Sequence, residues 1–505
     1  MNPLTLPLKW LPPHKIFADT VGATFAQATA IESATGELST TLDLGWVVLH
    51  SAVHSLITRA FSGSIPGPTF RVKSGDTLRI RFRNRLVAQP SADGAPERPD
   101  DSNLHFHGLH GSGTLPGDDV TQAIGPRAEH TYIVEIPSDH MPGTFWIHPH
   151  VHGSSTLQGG SGAAATLIID DPPGYLPATL STARELIWVV QYFANAQQWA
   201  IAKNSGDETY AVFDPATLDG DGDGDGDESM HHALMEDFAL VNGLLKPRLA
   251  VAPGEWTRWR LIYPGQRANP GHALDLALDS AGGGATAASC EMKLLAKDGI
   301  YIRDFPRAIR TARVPAGGRA DVMVRCAAPG QVTVTAEGRH LATLDVTGPS
   351  VSSDSLAPWS PASLPSYLHD VNDMAAPSSS PSSLCSCETR FGECTGRFSH
   401  LSGERCVNGR PYSDTEYLHV APLGALQQRS LRGLNSHPYH QHMYPFQLTS
   451  GFDESEYFKI GDWHDTWQDS SIGADSAPTM RFRPLGFAGR MMVHCHWLVS
   501  ARAGT

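Results

Sequence analysis

The stretch FRVKSGDTLRIRF, Phe70–Phe82, places apolar side chains at alternate positions on both sides of a Gly-Asp turn. Alternation of this kind puts the apolar side chains of a strand on one face, so the stretch predicts two strands joined by a tight turn. LAVAPGEWTRWRL (Leu249–Leu261) repeats the scheme, and LHVAPLGALQQRSL (Leu418–Leu431) is a looser third copy. Three copies along one chain predict three similar units.

The copies begin at residues 70, 249 and 418, and each interval has the size of one elaborated β-sandwich. Together with 48 Gly and 37 Pro, the alternating strands predict an all-β chain of Greek-key sandwiches. We expect five segments: an extension over 1–39, domains over 40–172, 173–350 and 405–505, and a Ser/Pro/Cys-rich linker over 351–404.

Bulk properties exclude some classes of partner. The net charge of −14 argues against nucleic acid or an anionic membrane surface as a main partner. No apolar run approaches the ~20 residues of a membrane span. The beginning, MNPLTLPLKWLPPHKIF, is interrupted by four prolines and lacks the continuous apolar region of a secretory signal, so no location follows from it.

Seven cysteines leave the pairing open. If Cys495 is a metal ligand, three disulfides can form among the other six, which are Cys290, Cys326, Cys385, Cys387, Cys394 and Cys406. The Cys-x-Cys spacing at Cys385 favours a disulfide-tied loop over a metal site, whose usual pattern is paired Cys-x-x-Cys.

Two further stretches suggest metal sites but have simpler interpretations. LDGDGDGDGDES (Leu218–Ser229) resembles a calcium loop, yet Met230 or His232 stands where the twelfth-position Glu belongs, which favours a solvated low-complexity loop. The adjacent MHHALM (Met230–Met235) is predicted to combine core packing with exposed histidines rather than to collect copper.

Histidine is the unusual residue, because four clusters each contain a His-x-His pair. The pairs lie in the first and last thirds of the chain: His105 and His107, His148 and His150, His440 and His442, and His494 and His496. On a strand, both members of a pair point to one face. Imidazole suits copper, and the thiolate of Cys495, facing the other way, suits a separate copper.

These motifs resemble those of the multicopper oxidases, the laccase-like family. GSIPGPTFRVKSGDTL, LVNGLLKPRL, GDWHDTW and FRPLGFAGRMMVHCH add to the resemblance, which extends from about residue 40 to residue 505. It implies three cupredoxin-like domains and up to four copper ions. It also implies a small-molecule or metal-ion electron donor, O2 as the acceptor, and an extracellular or secretory location.

The resemblance also implies a role for each ligand. His105 and His440 are expected to hold a type 2 copper, and His437 and Cys495 a type 1 copper. The type 3 pair is expected to be held by His107, His148, His150, His442, His494 and His496. Asp118, in GDDVTQ, matches the family's proton-supplying acid, although Asp119 is adjacent.

The chain departs from the family at its last residues. The family pattern places a second type 1 histidine where this chain has Ser500, and an axial ligand at Thr505. A serine hydroxyl is a poor copper ligand beside a thiolate, so we expect weak copper binding or altered colour and potential. His464 is a conceivable substitute, although it has a more ordinary structural role in GDWHDTW.

Two functions remain open. The first is oxidation of a phenol, an aromatic amine or a low-valent metal ion coupled to reduction of O2 to water. The second is a non-catalytic or impaired copper-binding protein on the same scaffold, which Ser500 favours. A copper nitrite reductase is disfavoured, because that chemistry needs no type 3 pair.

Overall fold

The structure is a computed structural model of the 505-residue chain. It describes residues 14–18, 20–51, 55–87, 100–160, 162–193, 238–265, 273–280, 289–371, 384–393, 405–413, 415–434, 437–469 and 476–496. The strands and the few short helical turns given below all lie within these ranges.

The first third contains β1 His14–Ala18, β2 Ala30–Glu32, β3 Glu37–Ser51, β4 Ser55–Phe61, β5 Thr69–Val72, β6 Thr77–Asn84, β7 His105–His107, β8 Glu129–Glu135, β9 Gly143–His148 and β10 Ala165–Ile169. The middle third contains β11 Arg184–Phe193, β12 Phe238–Val241, β13 Arg248–Val251, β14 Thr257–Ile262, β15 Leu274–Ser280, β16 Cys290–Lys297, β17 Ile300–Tyr301, β18 Arg307–Ile309, β19 Thr311–Val314, β20 Arg319–Cys326, β21 Gly330–Ala336 and β22 Arg339–Val346. The last third contains β23 Leu384–Glu393, β24 Arg405–Val407, β25 Leu426–Arg432, β26 Tyr439–Gln441, β27 Phe446–Ser450, β28 Trp463–His464, β29 Thr466–Trp467, β30 Thr479–Phe482 and β31 Val493–Cys495. The helical turns are α1 Ser155–Gln158, α2 Ala178–Ser181 and a 3₁₀ turn at Ser366–Leu368.

The described strands form six sheets, two in each third of the chain. The first pair has the orders β1-β3-β6-β8, with β4 beside β3, and β2-β5-β10-β9-β7. The second pair is β12-β11-β14-β20-β16-β17, with β18 beside β16, and β13-β22-β21-β15-β19. The third pair is β24-β23-β25-β30-β27-β28 and β29-β26-β31. The prediction of an all-β chain is confirmed.

The strand-turn-strand repeat crosses between the two sheets of each sandwich. β5 and β6 flank the Gly-Asp turn but belong to different sheets, and so do β13 and β14 around the second copy. The acid of each turn closes it in the same way: Asp76 Oδ2 accepts from the Lys73 N–H at 2.8 Å, and Glu255 Oε2 accepts from the Ala252 N–H at 2.9 Å. In the third copy only the second strand, β25, forms.

Alternation decides which side chains enter the core. Along β6, inward positions such as Leu78, Ile80 and Phe82 are fully buried, while the residues between them keep partial contact with solvent. These side chains pack against Phe70 and Leu167 of the facing sheet in one core. Burying each such large apolar side chain contributes roughly 1.5–3 kcal/mol.

The predicted extension and linker both supply strands to the sandwiches. β1 pairs in parallel with β3, and β2 pairs in parallel with β5, so residues before 40 extend the first two sheets. β23, inside the segment predicted as a linker, pairs in parallel with β25 of the last third. The domain boundaries themselves stay predictions.

β9 connects the first and middle sandwiches. Thr144 Oγ1 donates to Asp321 Oδ1 at 2.6 Å, and Trp146 Nε1 donates to the Gly317 carbonyl at 3.1 Å. Because β9 ends at His148, this anchoring fixes a predicted ligand strand against the middle sandwich. Within the described ranges, no helix is long and apolar enough to cross a membrane.

Candidate metal centre

Two antiparallel strand pairs carry the predicted ligands. β7 pairs with β9 so that His105 lies opposite His148, and β26 pairs with β31 so that His440 lies opposite His494. Residues directly opposite one another on antiparallel strands share a face. Each strand pair therefore presents histidines from both of its strands on the same side.

The two strand pairs face one another across the boundary between the first and last thirds. The His105 ring stacks on the His442 ring and the His107 ring on the His440 ring, each with centroids 3.8 Å apart. His150 Nε2 lies 3.0 Å from His494 Nε2. The structure thus brings together eight predicted imidazoles, all buried: His105, His107, His148, His150, His440, His442, His494 and His496.

Outer hydrogen bonds orient most of these rings and leave inner nitrogens for a metal. The Nδ1 atoms of His148, His440 and His494 lie 2.9–3.0 Å from the carbonyl oxygens of Pro149, Asp465 and Cys495, so each ring keeps Nε2 for the interior. The His107 ring is reversed, with Nε2 3.3 Å from Asp465 Oδ1 and Nδ1 turned toward His148. Such hydrogen bonds on the far nitrogen are typical of metal-bound histidine.

The inner nitrogens fit a metal cluster. His105 Nε2, His440 Nε2 and both ring nitrogens of His496 are buried without a hydrogen-bond partner. Their burial without a partner is costly unless something binds them. Within each of three groups of histidines, the possible ligand atoms lie within 4.8 Å of one another. The groups are His105, His107 and His148; His105, His440 and His442; and His150, His442 and His494.

Burial also favours the neutral form of these imidazoles, which is the form that binds a metal. Desolvation lowers the pKa of His148 to about 3 and that of His494 to about 4. The pKa values of His105, His440 and His496 are also well below the usual value for histidine, because of burial first and then repulsion between neighbouring rings. Neutral imidazoles need not lose a proton before they bind a metal, so the cluster is ready for one at neutral pH.

Asp118 contacts the cluster directly. Its Oδ2 lies 2.9 Å from His105 Nδ1, and its Oδ1 accepts a hydrogen bond from the Phe106 N–H at 3.2 Å. Burial raises the pKa of Asp118 to about 8, because the ionised carboxylate is poorly solvated there. Its neighbour Asp119 instead accepts hydrogen bonds from Thr121.

Sequence reasoning missed a buried ionic network behind His107. Asp465, whose Oδ1 contacts the His107 ring, receives two hydrogen bonds from the Arg319 guanidinium, at 2.8 and 2.6 Å. Asp298 Oδ1 in turn accepts from the Arg319 N–H at 3.0 Å. Arg319 belongs to β20, so the middle sandwich, which has no predicted ligand, supports the metal centre through these contacts.

A signal for this network exists in the sequence. RADVMVRC, Arg319–Cys326, places an arginine at the beginning of an apolar strand, and such an arginine needs a buried partner. The partner is not apparent, because Asp465 lies 146 residues further along the chain. Burial raises the pKa of Asp465 and the nearby Arg319 charge opposes that rise.

Two glycines allow the close packing around the network. Gly108 has φ +89°, and a Cβ there would lie 2.1 Å from Arg319 Nη2. Gly317 has φ +87°, and its Cβ would lie 2.7 Å from the His496 ring. Both positions combine a left-handed backbone with no space for a side chain, so glycine is required for both reasons.

The predicted type 1 residues occupy the opposite face of β31. His437 Nδ1 lies 3.3 Å from the half-buried Cys495 Sγ, so these two predicted ligands are adjacent. Ser500 and Thr505 lie outside the described residues. His464, the conceivable substitute, instead has its Nδ1 3.6 Å from Asp298 Oδ2 and its Nε2 3.4 Å from Lys297 Nζ.

Some of the remaining cysteines form disulfides, and the acidic motif lies outside the described residues. Cys290 and Cys326 form a disulfide between β16 and β20. Cys406 is also disulfide-bonded. The stretches Leu218–Ser229 and Met230–Met235, and also Cys394, lie outside the described residues.

Comparisons with known proteins agree with this geometry. A family model described as multicopper oxidase matches residues 50–174. The multicopper oxidase MmcO of Mycobacterium tuberculosis is 26% identical over 411 residues, which are 77% of this chain and 72% of that protein. Laccase-1 of Thanatephorus cucumeris is 35% identical over 115 residues, which are 22% of this chain and 18% of that protein.

Similarity to solved structures supports the fold. The crystal structure of a laccase from Pediococcus acidilactici matches with a TM-score of 0.67 at 18% identity, covering 96% of this chain and 93% of that one. The family match, the two relatives and this fold agree with the histidine pattern. Residues 50–174 therefore match the multicopper oxidase family model, and most of the chain is similar in sequence to a multicopper oxidase.

Proposed function

We propose that the chain oxidises a small donor at a type 1 copper and reduces O2 to water at a trinuclear copper cluster. The donor class is a phenol, an aromatic amine or a low-valent metal ion. The observation that carries the proposal is the convergence of eight buried imidazoles from both ends of the chain. Copper bound there supplies one-electron redox chemistry, and four one-electron donors with four protons balance one O2 against two water molecules.

The proposed roles are those that the resemblance to the multicopper oxidases implies. His105 and His440 would hold the type 2 ion, and the type 3 pair would be held by His107, His148, His150, His442, His494 and His496, all of which are buried. His437 and Cys495 hold the type 1 ion. His494 and His496 are bonded directly to Cys495 in the chain, so one short strand joins the two centres covalently.

The direct test is the stoichiometry of oxygen consumption. We expect copper-loaded protein in an oxygen electrode to use one O2 for every four one-electron equivalents of a phenolic donor, without releasing hydrogen peroxide. Cys495→Ser, which removes the thiolate, should stop donor-dependent consumption. Hydrogen peroxide as the main product would contradict reduction to water at a trinuclear cluster.

Asp118 is proposed to hold a proton beside the cluster. We expect Asp118→Asn to lower the turnover number about 100-fold, in the range typical of a lost general acid, while copper content stays unchanged. The reason is that Asn still occupies the space beside His105 but supplies no acidic proton. Steady-state kinetics with metal analysis checks this, with the exposed Glu129→Gln as control. Unchanged turnover would remove Asp118 from the mechanism.

A second candidate function follows from Ser500. A chain without the second type 1 histidine would be an impaired oxidase or a non-catalytic copper-binding protein on the same scaffold. His437 and Cys495 supply two strong ligands, and a third completes the trigonal set of a blue-copper site.

We therefore expect Ser500→His to strengthen the blue thiolate-to-copper absorption and to raise oxidase turnover. Visible spectra of copper-loaded wild type and variant, at matched copper content, check this directly. Ser500→Ala serves as control, because it changes the side chain without adding a ligand. A fully blue wild type would show that Ser500 is no defect, and would contradict the second candidate function.

A further inference from the structure

A cavity of about 380 Å³ opens beside β31, on the side away from the eight imidazoles. The 119–121 loop of the first third and the segments 410–413, 416–421 and 487–493 of the last third contribute to its wall. Its volume is in the range of small-molecule sites, ~300–1,000 Å³. Val493, which lines it, lies two residues before Cys495 and on the same face of the strand.

One wall of the cavity contains a buried arginine. Arg429, on β25, is only 4% exposed. Its Nη1 donates to the Tyr439 hydroxyl at 3.4 Å, and the guanidinium carbon lies 5.2 Å from the centre of the Phe482 ring. Among the residues that the structure describes, none forms an ion pair with Arg429. A buried charge without a counter-charge is costly, so this guanidinium is suited to an anion from outside the chain.

A second buried polar group lines the same cavity. Thr389, on the neighbouring strand β23, is 1% exposed, and its Oγ1 has no hydrogen-bond partner. Thr389 lies opposite Leu431, two residues from Arg429, so the threonine and the arginine share one face of the sheet. Both side chains reach the cavity with hydrogen-bonding capacity unused.

The rest of the lining is suited to an aromatic ring. Tyr412, Tyr444, Phe487 and Met491 supply flat or polarisable apolar surface. Of the charges nearer the surface, Arg410 pairs with Glu416, Arg490 donates to Thr121 Oγ1, and Asp119 accepts from Thr121. Burial, and then the Arg429 charge, lower the pKa of the lining residue His419, which favours its neutral form. Arg429 is the buried charge among the lining residues.

We infer that this cavity binds an aromatic carboxylate, with its carboxylate group on Arg429 and Thr389 and its ring among the aromatic side chains. An arginine fork matches a carboxylate with two hydrogen bonds. The next step rests on the proposed function: because the cavity lies beside Val493 and Cys495, it is the site where the electron donor binds. The preferred donor is then a hydroxylated aromatic carboxylate, which loses one electron and its phenolic proton in each oxidation.

Binding is tested first with probes that cannot be oxidised. Isothermal titration of the copper-loaded protein should show benzoate binding at least about tenfold more tightly than benzamide or acetate, because only benzoate offers both charge and ring. Arg429→Met should lose that preference and Thr389→Val should weaken it. Arg432→Met, on the same strand but outside the cavity lining, should retain it. Circular dichroism verifies that each variant is folded.

Two outcomes of the titration overturn the inference. Equal affinity for acetate and benzoate would indicate a simple anion site, and equal affinity for benzamide and benzoate would indicate an apolar pocket. Retention of benzoate binding in both folded variants, Arg429→Met and Thr389→Val, would show that the carboxylate lies elsewhere.

Comparing the oxidation kinetics of 4-hydroxybenzoate with those of its methyl ester distinguishes a failure of the carboxylate site from a failure of the proposed function. We expect the acid to have a KM about tenfold or more below that of the ester, and Arg429→Met to remove the difference with little change in kcat. Oxidation of both with equal KM would overturn the anion site and leave the proposed function intact. Arg429-dependent benzoate binding without any oxidation would overturn the proposed function and leave the anion site intact.

Discussion

His494→Ala is expected to abolish oxygen reduction, with a fall of at least ~100-fold, and to lower the copper content of the protein. His494 lies between two other predicted ligands, with its Nε2 3.0 Å from His150 Nε2 and 3.3 Å from His442 Nε2. The alanine variant leaves those two rings facing an empty space and removes one ligand of the proposed type 3 pair.

Metal analysis and an oxygen electrode together measure this effect. His340→Ala, a histidine of the middle sandwich that hydrogen-bonds Thr343 away from the cluster, is the matched control and should keep both copper and activity. His107→Ala should behave as His494→Ala does, because it removes a ligand from the opposite strand pair. Normal oxygen consumption by either cluster variant would refute the ligand assignment.

Arg319→Met is expected to destabilise the protein by about 3–5 kcal/mol, because breaking a buried ion pair leaves its partner carboxylate uncompensated. The affected partner is Asp465, which contacts the His107 ring on its other side. We therefore also expect looser copper binding, by about 10–100-fold, as for other residues that orient metal ligands.

Urea unfolding of the metal-free protein and copper affinity of the loaded protein measure the two effects separately. Arg313→Met is the matched control, because the partly exposed pair of Arg313 with Asp275 should contribute at most ~1 kcal/mol. Arg319→Lys keeps the charge but loses one of the two hydrogen bonds to Asp465. Its stability and its copper affinity should therefore lie between those of the wild type and those of Arg319→Met. A copper affinity unchanged by Arg319→Met would limit this arginine to a role in stability.

Much of the fold was predictable from local pattern. The alternation in Phe70–Phe82 predicts both strands and their inward faces, because side-chain direction along a strand depends only on neighbouring residues. The pattern does not determine which sheet each strand joins. A hairpin within one sheet and a crossing between two sheets have the same alternation, and the turn of Lys73–Asp76 forms the crossing.

In the candidate metal centre, too, local pattern predicts some features, and contacts between distant residues decide the others. His-x-His pairs on strands predict that both rings share a face, and the structure places four such pairs around one space. The contact between Arg319 and Asp465 was not predictable, because it joins distant residues with no periodic relation. Arg429 is a similar case, since only the packed sheet shows that its guanidinium is buried.

We propose that eight histidines, on or just after the strands of two strand pairs, surround three copper ions. The most direct measurement is an anomalous difference map, recorded on both sides of the copper absorption edge from crystals of copper-loaded protein. We predict three peaks in the space enclosed by His105, His107, His148, His150, His440, His442, His494 and His496. Copper peaks confined to other sites, with none among these rings, would contradict it.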